Sequence, residues 1–167
     1  LISDAGTPVL SDPGNVIIKE CIKNNHRVFT VPGPSSITAA VSLSGFGDNF
    51  LFYGFLPKTE NELNKCLKKL NINDFSLVFF VPSIKINFYI KAFKKHFSGR
   101  NIFIAREMTK KYETYYRSAV NNLNPFTSSL RGELTIVISQ SIQKGLPTTD
   151  YSKIEKQVTK YLKSYSV

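Results

Sequence analysis

Short apolar runs alternate with amphipathic stretches along most of the chain. Runs of five to seven residues in which nearly every position is apolar are typical of buried strands. Five such runs predict strands: RVFTV at 27–31, FLFYGF at 50–55, SLVFFV at 76–81, NIFIA at 101–105 and ELTIVIS at 133–139. The residues Leu1 and Ile2 would be the last two of a further strand.

Between these runs, apolar residues recur every three or four positions, which predicts helices. Leu63, Leu67 and Leu70 mark one face of a helix at 60–71. A helix is predicted at 11–25, where Asp12 would be the N-cap and Pro13 the first helical residue. Another is predicted at 37–44, between Ser35 or Ser36 and Gly45. Further helices are predicted at 84–97 and near 121–129, and residues 150–164 would form a helix or a loose tail.

Alternating strands and helices indicate an α/β fold. The segment GFGDN at 45–49 interrupts the pattern with small and polar residues. We therefore expect two lobes, with residues 1–49 in the first, residues 50–140 in the second, and residues 141–167 as a C-terminal tail or helix.

The composition, with 42% hydrophobic and 20% charged residues among 167, is that of a globular protein. No apolar run approaches the ~18 residues that span a bilayer, so we expect no membrane segment. The two cysteines, Cys21 and Cys66, form no clustered framework. They are therefore interpreted as reduced thiols in a cytoplasmic protein.

The net charge of +10 is distributed unevenly along the chain. Residues 1–83 hold 7 basic and 7 acidic residues, whereas residues 84–167 hold 15 and 5. This asymmetry favours a polyanionic partner, nucleic acid first, although a lysine-rich genome would give a similar excess.

Three segments carry candidate chemistry. DAGTP at 4–8 follows the first predicted strand, at the end where open α/β sheets bind ligands, unless it is only a tight turn. VPGPSSITAA at 31–40 presents free N–H groups and hydroxyls at a helix start, which suits a carboxylate, or it is only a capped core helix. REMTKKYE at 106–113 offers cations for phosphates and carboxylates for acid–base work, or surface ion pairs.

Other chemistry lacks a motif. The sequence has no Ser-His-Asp order, CxxC pair, P-loop or GxGxxG, so hydrolase, redox and kinase functions have no support. Asp4 and Asp12 are not spaced as a metal site, and no His or Cys accompanies them, so we expect no metal.

Taken together, these segments resemble one family. SDAGTPVLSDPG, VPGPSSITAAVSLSGF, FLFYGFLPK, AREMTKKYE and RGELTIVI, in this order over residues 1–139, are similar to the ribosomal RNA small subunit methyltransferase I group of the tetrapyrrole methylase superfamily. The resemblance implies a two-lobed α/β fold in which the first lobe is incomplete and the second is a mixed sheet with flanking helices.

The resemblance also implies an activity: methyl transfer from S-adenosylmethionine to a ribose 2′-hydroxyl of a cytidine in 16S rRNA of the 30S subunit. A cytoplasmic homodimer is implied as well. The cofactor would lie against Gly6, Thr7, Pro8 and Leu10 and against Ser36 and Ile37. Arg106, Lys110 and Lys111 would contact RNA, and Glu107 is the candidate catalytic base.

The chain departs from the family pattern in two places. The family's N-terminal blocks are absent, so the chain resembles a fragment lacking part of the first lobe. VPSIK at 81–85 also replaces a string that holds glutamate, histidine and arginine in the family. Two alternatives therefore stay open, a tetrapyrrole C-methylase of the same superfamily and an inactive RNA-binding fragment.

Overall fold

The computed structural model describes residues 1–3, 6–128 and 130–141, and it contains one mixed sheet with helices on both faces. The helices are α1 (Asn15–Lys23), α2 (Ser36–Ser44), α3 (Glu60–Leu70) and α4 (Ile86–His96). The strands are β1 (Phe50–Phe55), β2 (Ser76–Pro82), β3 (Asn101–Arg106), β4 (Thr114–Ala119) and β5 (Glu133–Ile138). Single 3₁₀ turns occupy Ser83–Lys85 and Val120–Asn122.

The sheet has the strand order β1-β2-β5-β3-β4. β1 and β2 are parallel, and the other neighbours are antiparallel, with Val137 of β5 opposite both Val78 and Phe103. β1, β2 and β3 therefore run in one direction, and their last residues share one edge of the sheet. We call this the carboxyl edge, and the opposite end, where β2 and β3 begin, the amino edge.

The main core lies between the sheet and helices α3 and α4. Leu63 and Leu67 of α3 are fully buried, as are Tyr89 and Phe93 of α4. Phe79 of β2 lies beneath them and stacks on Phe93 with the ring centroids 5.8 Å apart. Burying one such side chain stabilises the fold by about 1.5–3 kcal/mol, so this layer supplies most of the hydrophobic stabilisation.

A smaller core lies on the other face, beneath α2. Ile37, Ala40 and Val41 pack against Val78, Phe103, Ala105 and Val137 of the sheet. Ala40 is completely buried, and its small side chain lets the helix approach the strands closely. This contact fixes where the first residues of α2 lie.

A buried arginine joins the loops at the amino edge. Arg100 is only 2% exposed, and its guanidinium donates hydrogen bonds to the carbonyls of Asn71, Asn73 and Ser139. The same group lies 5.1 Å from the centroid of the Phe97 ring. Since a buried cation is costly unless its donors are paired, these bonds are what permit the burial.

The structure confirms the predicted fold class, a mixed sheet with flanking helices, together with four of the five internal strands. The helices predicted at 37–44, 60–71 and 84–97 are also confirmed, within two residues at each end. The terminal helix predicted at 150–164 lies outside the described residues, as do residues 4 and 5 of the DAGTP segment. The two-lobe division stays a prediction.

Three predicted elements are wrong. The first helix begins at Asn15 rather than at Asp12–Pro13, because positive φ angles of 63° at Ser11 and 133° at Gly14 interrupt helical geometry there. Residues 27–31 form no strand, since no described strand lies beside them to pair their backbone groups. The short helix near 121–129 is only the 3₁₀ turn at Val120–Asn122.

Across the described ranges, no helix combines the length and the apolar character needed to cross a membrane.

Candidate functional site

The first two candidate segments meet in space. The Thr7 hydroxyl donates a hydrogen bond of 3.4 Å to the carbonyl of Pro34. Gly6, with φ 76°, lies so close to the same carbonyl that a Cβ there would be 3.3 Å from the oxygen. Residues 27 positions apart are therefore held side by side. The turn needs glycine because its backbone approaches Pro34 closely in a left-handed conformation.

The same N-terminal loop reaches the carboxyl edge of the sheet. A Cβ on Gly54 of β1 would lie 3.4 Å from the Ser11 hydroxyl oxygen. Gly54 has φ 86° and sits at an irregularity in the pairing of β1 with β2. Beside it, the Phe52 and Phe55 rings pack against Phe80 with centroids 5.0 and 5.5 Å apart. This edge therefore combines close backbone contacts with an aromatic surface.

Helix α2 points its N-terminus at the carboxyl edge. Its C-terminal end lies at the amino edge, because the carbonyl of Phe46 accepts a 3.1 Å hydrogen bond from the Ser76 hydroxyl at the start of β2. Ser35 is the N-cap residue, but its hydroxyl caps none of the first-turn N–H groups. With Ser36 exposed and Ile37 buried, the helix start offers backbone donors and a partial positive charge.

The third segment forms a tight turn between β3 and β4 at the same edge. Glu107 and Thr109 adopt positive φ angles of 50° and 64°. The N–H of Lys110 donates to the Glu107 carbonyl at 3.0 Å, and the N–H of Glu113 donates to the Lys110 carbonyl at 3.2 Å. Met108 packs on the α2-face core, which also contains Ile37. All three candidate segments therefore lie at the carboxyl edge, the first two in contact with each other and the third packed on the core beneath α2.

Glu107, the predicted base, holds this turn against β5. Its carboxylate accepts the N–H of Glu133 at 2.8 Å and the ammonium of Lys110 at 3.2 Å. The N–H of Glu133 is the largest cause that lowers the pKa of Glu107, and Lys110 lowers it further against the effect of burial. A carboxylate with a lowered pKa accepts protons weakly, so its bonds suit a positioning role, and the catalytic role stays a prediction.

The predicted RNA cations have different surroundings. The ammonium of Lys110 lies 2.9 Å from Glu133 and 3.2 Å from Glu107, and these two carboxylates raise its pKa. Arg106 donates from Nε to the carbonyl of Arg131 at 2.7 Å. Lys111 is exposed, with its ammonium 5.7 Å from the centroid of the Tyr112 ring. Arg106 and Lys110 thus hold the turn in place through contacts within the protein, whereas Lys111 faces solvent.

Two other predicted cofactor residues are less engaged. Pro8 is half-buried, and Leu10 is 53% exposed at the surface of the N-terminal loop. The sequence analysis quoted Pro34 and the pair Gly132–Glu133 within larger segments but assigned them no role. Pro34 accepts the hydrogen bond from Thr7, and the pair holds Glu107 and Lys110. The signal for the pair was a glycine directly before the predicted strand at 133–139, a position that admits close backbone approach.

An open depression lies away from these residues. It has a volume of about 680 Å³ and lies at the amino edge, lined by Gly45–Gly47, Asp74, Asn101 and 139–141. None of the predicted site residues lines it. The convergence of the three segments therefore decides the candidate site, rather than cavity size.

Comparison with known proteins assigns the chain. The model of the Tetrapyrrole (Corrin/Porphyrin) Methylases family matches residues 1–124, about three quarters of the sequence. The chain belongs to this family. The match includes all three converging segments, so the candidate site is part of the tetrapyrrole methylase unit.

The curated relatives confirm the resemblance to one branch of the tetrapyrrole methylases. A Thermotoga maritima protein is 38% identical over 142 residues, which cover 83% of this chain and 64% of the relative. A Rickettsia prowazekii protein is 36% identical, covering 86% of this chain and 52% of the relative. Both are named ribosomal RNA small subunit methyltransferase I. The chain thus spans between half and two thirds of the length of these relatives.

Solved structures show the same fold. The methyltransferase CobJ superposes with a TM-score of 0.59 at 17% identity, covering 81% of this chain and 62% of CobJ. Uroporphyrin-III C-methyl transferase from Thermus thermophilus, solved with S-adenyl homocysteine, gives a TM-score of 0.55 at 13% identity, covering 80% and 62%. At these identities the likeness shows the tetrapyrrole methylase fold alone.

Proposed function

We propose that this chain belongs to an enzyme that transfers a methyl group from S-adenosylmethionine to the RNA of the small ribosomal subunit. The observation that carries the proposal is the convergence of residues 6–8, 34–37 and 106–113 at the carboxyl edge. The curated relatives named for this reaction support the choice of substrate.

The residues at this edge fit the cofactor. S-adenosylmethionine carries a carboxylate, and the N–H groups at the start of α2, beside Ser36 and Ile37, are uncapped donors with a partial positive charge. The Gly6–Thr7–Pro8 loop brings backbone close to the same helix start. When bound, the cofactor supplies a methyl group already activated by its sulfonium, so the protein needs no metal or redox group for this reaction.

The protein would then have to align the RNA acceptor with the methyl group. Lys111 is the exposed cation of the 106–113 turn and would hold a phosphate, while Glu107 fixes the turn that carries it. We further propose that the acceptor is a ribose 2′-hydroxyl of a cytidine in 16S rRNA, which the turn would orient toward the methyl group. Correct orientation of the two reactants lowers the barrier to such a transfer.

The decisive experiment measures methyl transfer from labelled S-adenosylmethionine to 30S subunits and to a uroporphyrinogen. It uses this chain and a version extended at its N-terminus with the matching segment of the Thermotoga maritima relative. We expect transfer to 30S subunits by at least the extended protein. Transfer to the tetrapyrrole alone would replace the proposal with the C-methylase alternative, and transfer to neither would overturn both.

The placement of the cofactor has its own test. Replacing Thr7 or Ser36 with Trp places a large ring where the two loops meet and should abolish binding of S-adenosylhomocysteine in calorimetry. The control is Ser98→Trp, an exposed serine between α4 and β3, which should bind normally. Unchanged binding by both site variants would show that the cofactor lies elsewhere. The expected homodimer stays a prediction that sedimentation equilibrium tests.

A further inference from the structure

One large aromatic side chain beside the candidate site remains without a structural role. Tyr112, at the end of the 106–113 turn, is 62% exposed. Among the residues that the structure describes, it stacks on no other ring, and its one aromatic contact is the ammonium of Lys111 at 5.7 Å. Tyr115, three positions on, stacks on Phe103 and contributes to packing. Ring packing therefore explains Tyr115 but not Tyr112.

The backbone beneath Tyr112 is braced from two sides. Arg106 donates from Nη1 to the Tyr112 carbonyl at 3.5 Å while its Nε is bonded to Arg131. Glu113 accepts hydrogen bonds from the N–H of Thr109 and from the Tyr115 hydroxyl. The ring therefore projects from a backbone that is already ordered, and less conformational entropy is lost when a ligand contacts it.

The neighbouring charge indicates the kind of ligand. In the described part of the chain, the Lys111 ammonium has no ion pair, whereas Lys110 is shared by two carboxylates. An exposed ring beside an unpaired cation matches the way proteins hold single-stranded RNA, in which a base stacks on the ring and a phosphate meets the cation.

We propose that Tyr112 is the stacking platform for an unpaired base of the RNA substrate, with Lys111 contacting an adjacent phosphate. This inference rests on the proposed function and adds to it a specific contact. It implies that the enzyme recognises an unpaired segment, because a base inside a duplex presents no free face to a ring.

The test compares Tyr112→Ala, Tyr112→Trp and Lys111→Ala for binding of a fluorescein-labelled, unstructured 12-nucleotide RNA. Removing the ring should weaken binding by about 5- to 150-fold, because a stacked base contributes roughly 1–3 kcal/mol. Tyr112→Trp should bind at least as well as the unmodified protein. Lys111→Ala should reduce the magnitude of the negative slope of log K against log salt concentration by roughly 1.

Phe75→Ala is the matched control. Phe75 is also exposed, at 46%, but it lies at the amino edge just before β2, so its removal should leave RNA binding unchanged. A strand carrying 2-aminopurine gives the signature of stacking: its fluorescence should be quenched by the unmodified protein and by Tyr112→Trp, and not by Tyr112→Ala. Equal affinity and equal quenching with Tyr112→Ala would overturn the inference.

The outcomes also separate this inference from the proposed function. Tyr112→Ala should bind S-adenosylhomocysteine normally, because the ring lies outside the loops assigned to the cofactor. If the unmodified protein methylates 30S subunits and Tyr112→Ala does so with an unchanged KM, the inference fails and the proposed function stands. If the unmodified protein neither binds RNA nor methylates it, both fail.

Discussion

At the scale of single residues, the carboxyl edge depends on a glycine facing a carboxylate. The Glu107 side chain lies against the backbone of Gly132, and a Cβ built on Gly132 would overlap its carboxyl group. The Glu107 carboxylate is thereby brought to the N–H of Glu133. The predicted base is thus also the residue that joins the 106–113 turn to β5.

Gly132→Ala should destabilise the protein more than an ordinary glycine substitution. Gly132 has φ 98° and no room for a methyl group, whereas Gly99 has a similar φ of 85° with nothing within 4 Å of a built Cβ. Gly99→Ala therefore measures the backbone cost alone, about 1 kcal/mol, and Gly132→Ala should cost roughly 1–3 kcal/mol more. Urea denaturation measures both, and equal losses would contradict the close contact.

The same contacts predict a pH dependence. The pKa of Glu107 is lowered from its ordinary 4.5, mainly by the N–H of Glu133. A depressed folded-state pKa means that its stabilisation is present above pH 4.5 and is lost as the pH falls through the lower folded value. Glu107→Gln should therefore reduce the loss of stability on acidification below pH 4.5, measured by denaturation at several pH values. If Glu107→Gln lost as much stability below pH 4.5 as the unmodified protein, Glu107 would not be held as described.

At the scale of elements, α1 and α3 look alike in sequence and differ in the structure. Both present apolar residues at helical spacing, yet α3 buries Leu63, Leu67 and Leu70 while α1 buries none of its residues. Val16 of α1 is 80% exposed. The periodicity of a sequence shows which face could be buried, but whether a partner lies against that face depends on the other elements.

Shortening one side chain on each helix should show this difference in the free energy of unfolding. Leu67→Ala removes a fully buried side chain and should cost about 2–5 kcal/mol, whereas Val16→Ala should change the free energy of unfolding by less than about 0.5 kcal/mol. Chemical denaturation of the two variants beside the unmodified protein measures both. A loss at Val16 comparable to that at Leu67 would mean that α1 is packed in solution.

At the scale of the whole molecule, the positive charge lies on more than one surface. Helices α3 and α4 expose Lys65, Lys68, Lys69, Lys91 and Lys95 on the face opposite α2, and within the described ranges these lysines form no ion pair. Burial lowers the pKa of His96, and Lys95 and Lys68 lower it further, in keeping with this positive field. Met108 of the 106–113 turn packs on the α2 face, so these lysines lie on the other side of the sheet and their effect on RNA should act through long-range attraction.

Charge reversal separates long-range attraction from contact. Lys68→Glu combined with Lys95→Glu should slow association with RNA several-fold at low salt and have little effect near 0.5 M salt, where charges are screened beyond about 4–5 Å. Lys19→Glu with Lys23→Glu on α1 changes the net charge equally, and Lys23 is already paired with Glu20. Stopped-flow fluorescence measures both rates. Equal slowing by the two pairs would show that net charge alone matters.

The strands at 50–55, 76–81, 101–105 and 133–139 and helices α3 and α4 followed from the sequence by itself. The spacing of their apolar residues is a local pattern, and each element forms its backbone hydrogen bonds within the sheet or the helix that this pattern predicts. The sequence also indicated the three chemical segments through their small residues, hydroxyls and charges.

Tertiary structure decided the rest, because those outcomes depend on residues distant in sequence. Residues 27–31 have strand composition but lack a neighbouring strand in the described chain, whereas the more polar β4 is ordered by pairing with β3. The roles of Glu107 and Lys110 were set by Gly132 and Glu133, some 25 positions away. The candidate site likewise exists only because the fold carries residues 6–8, 34–37 and 106–113 to one edge of the sheet.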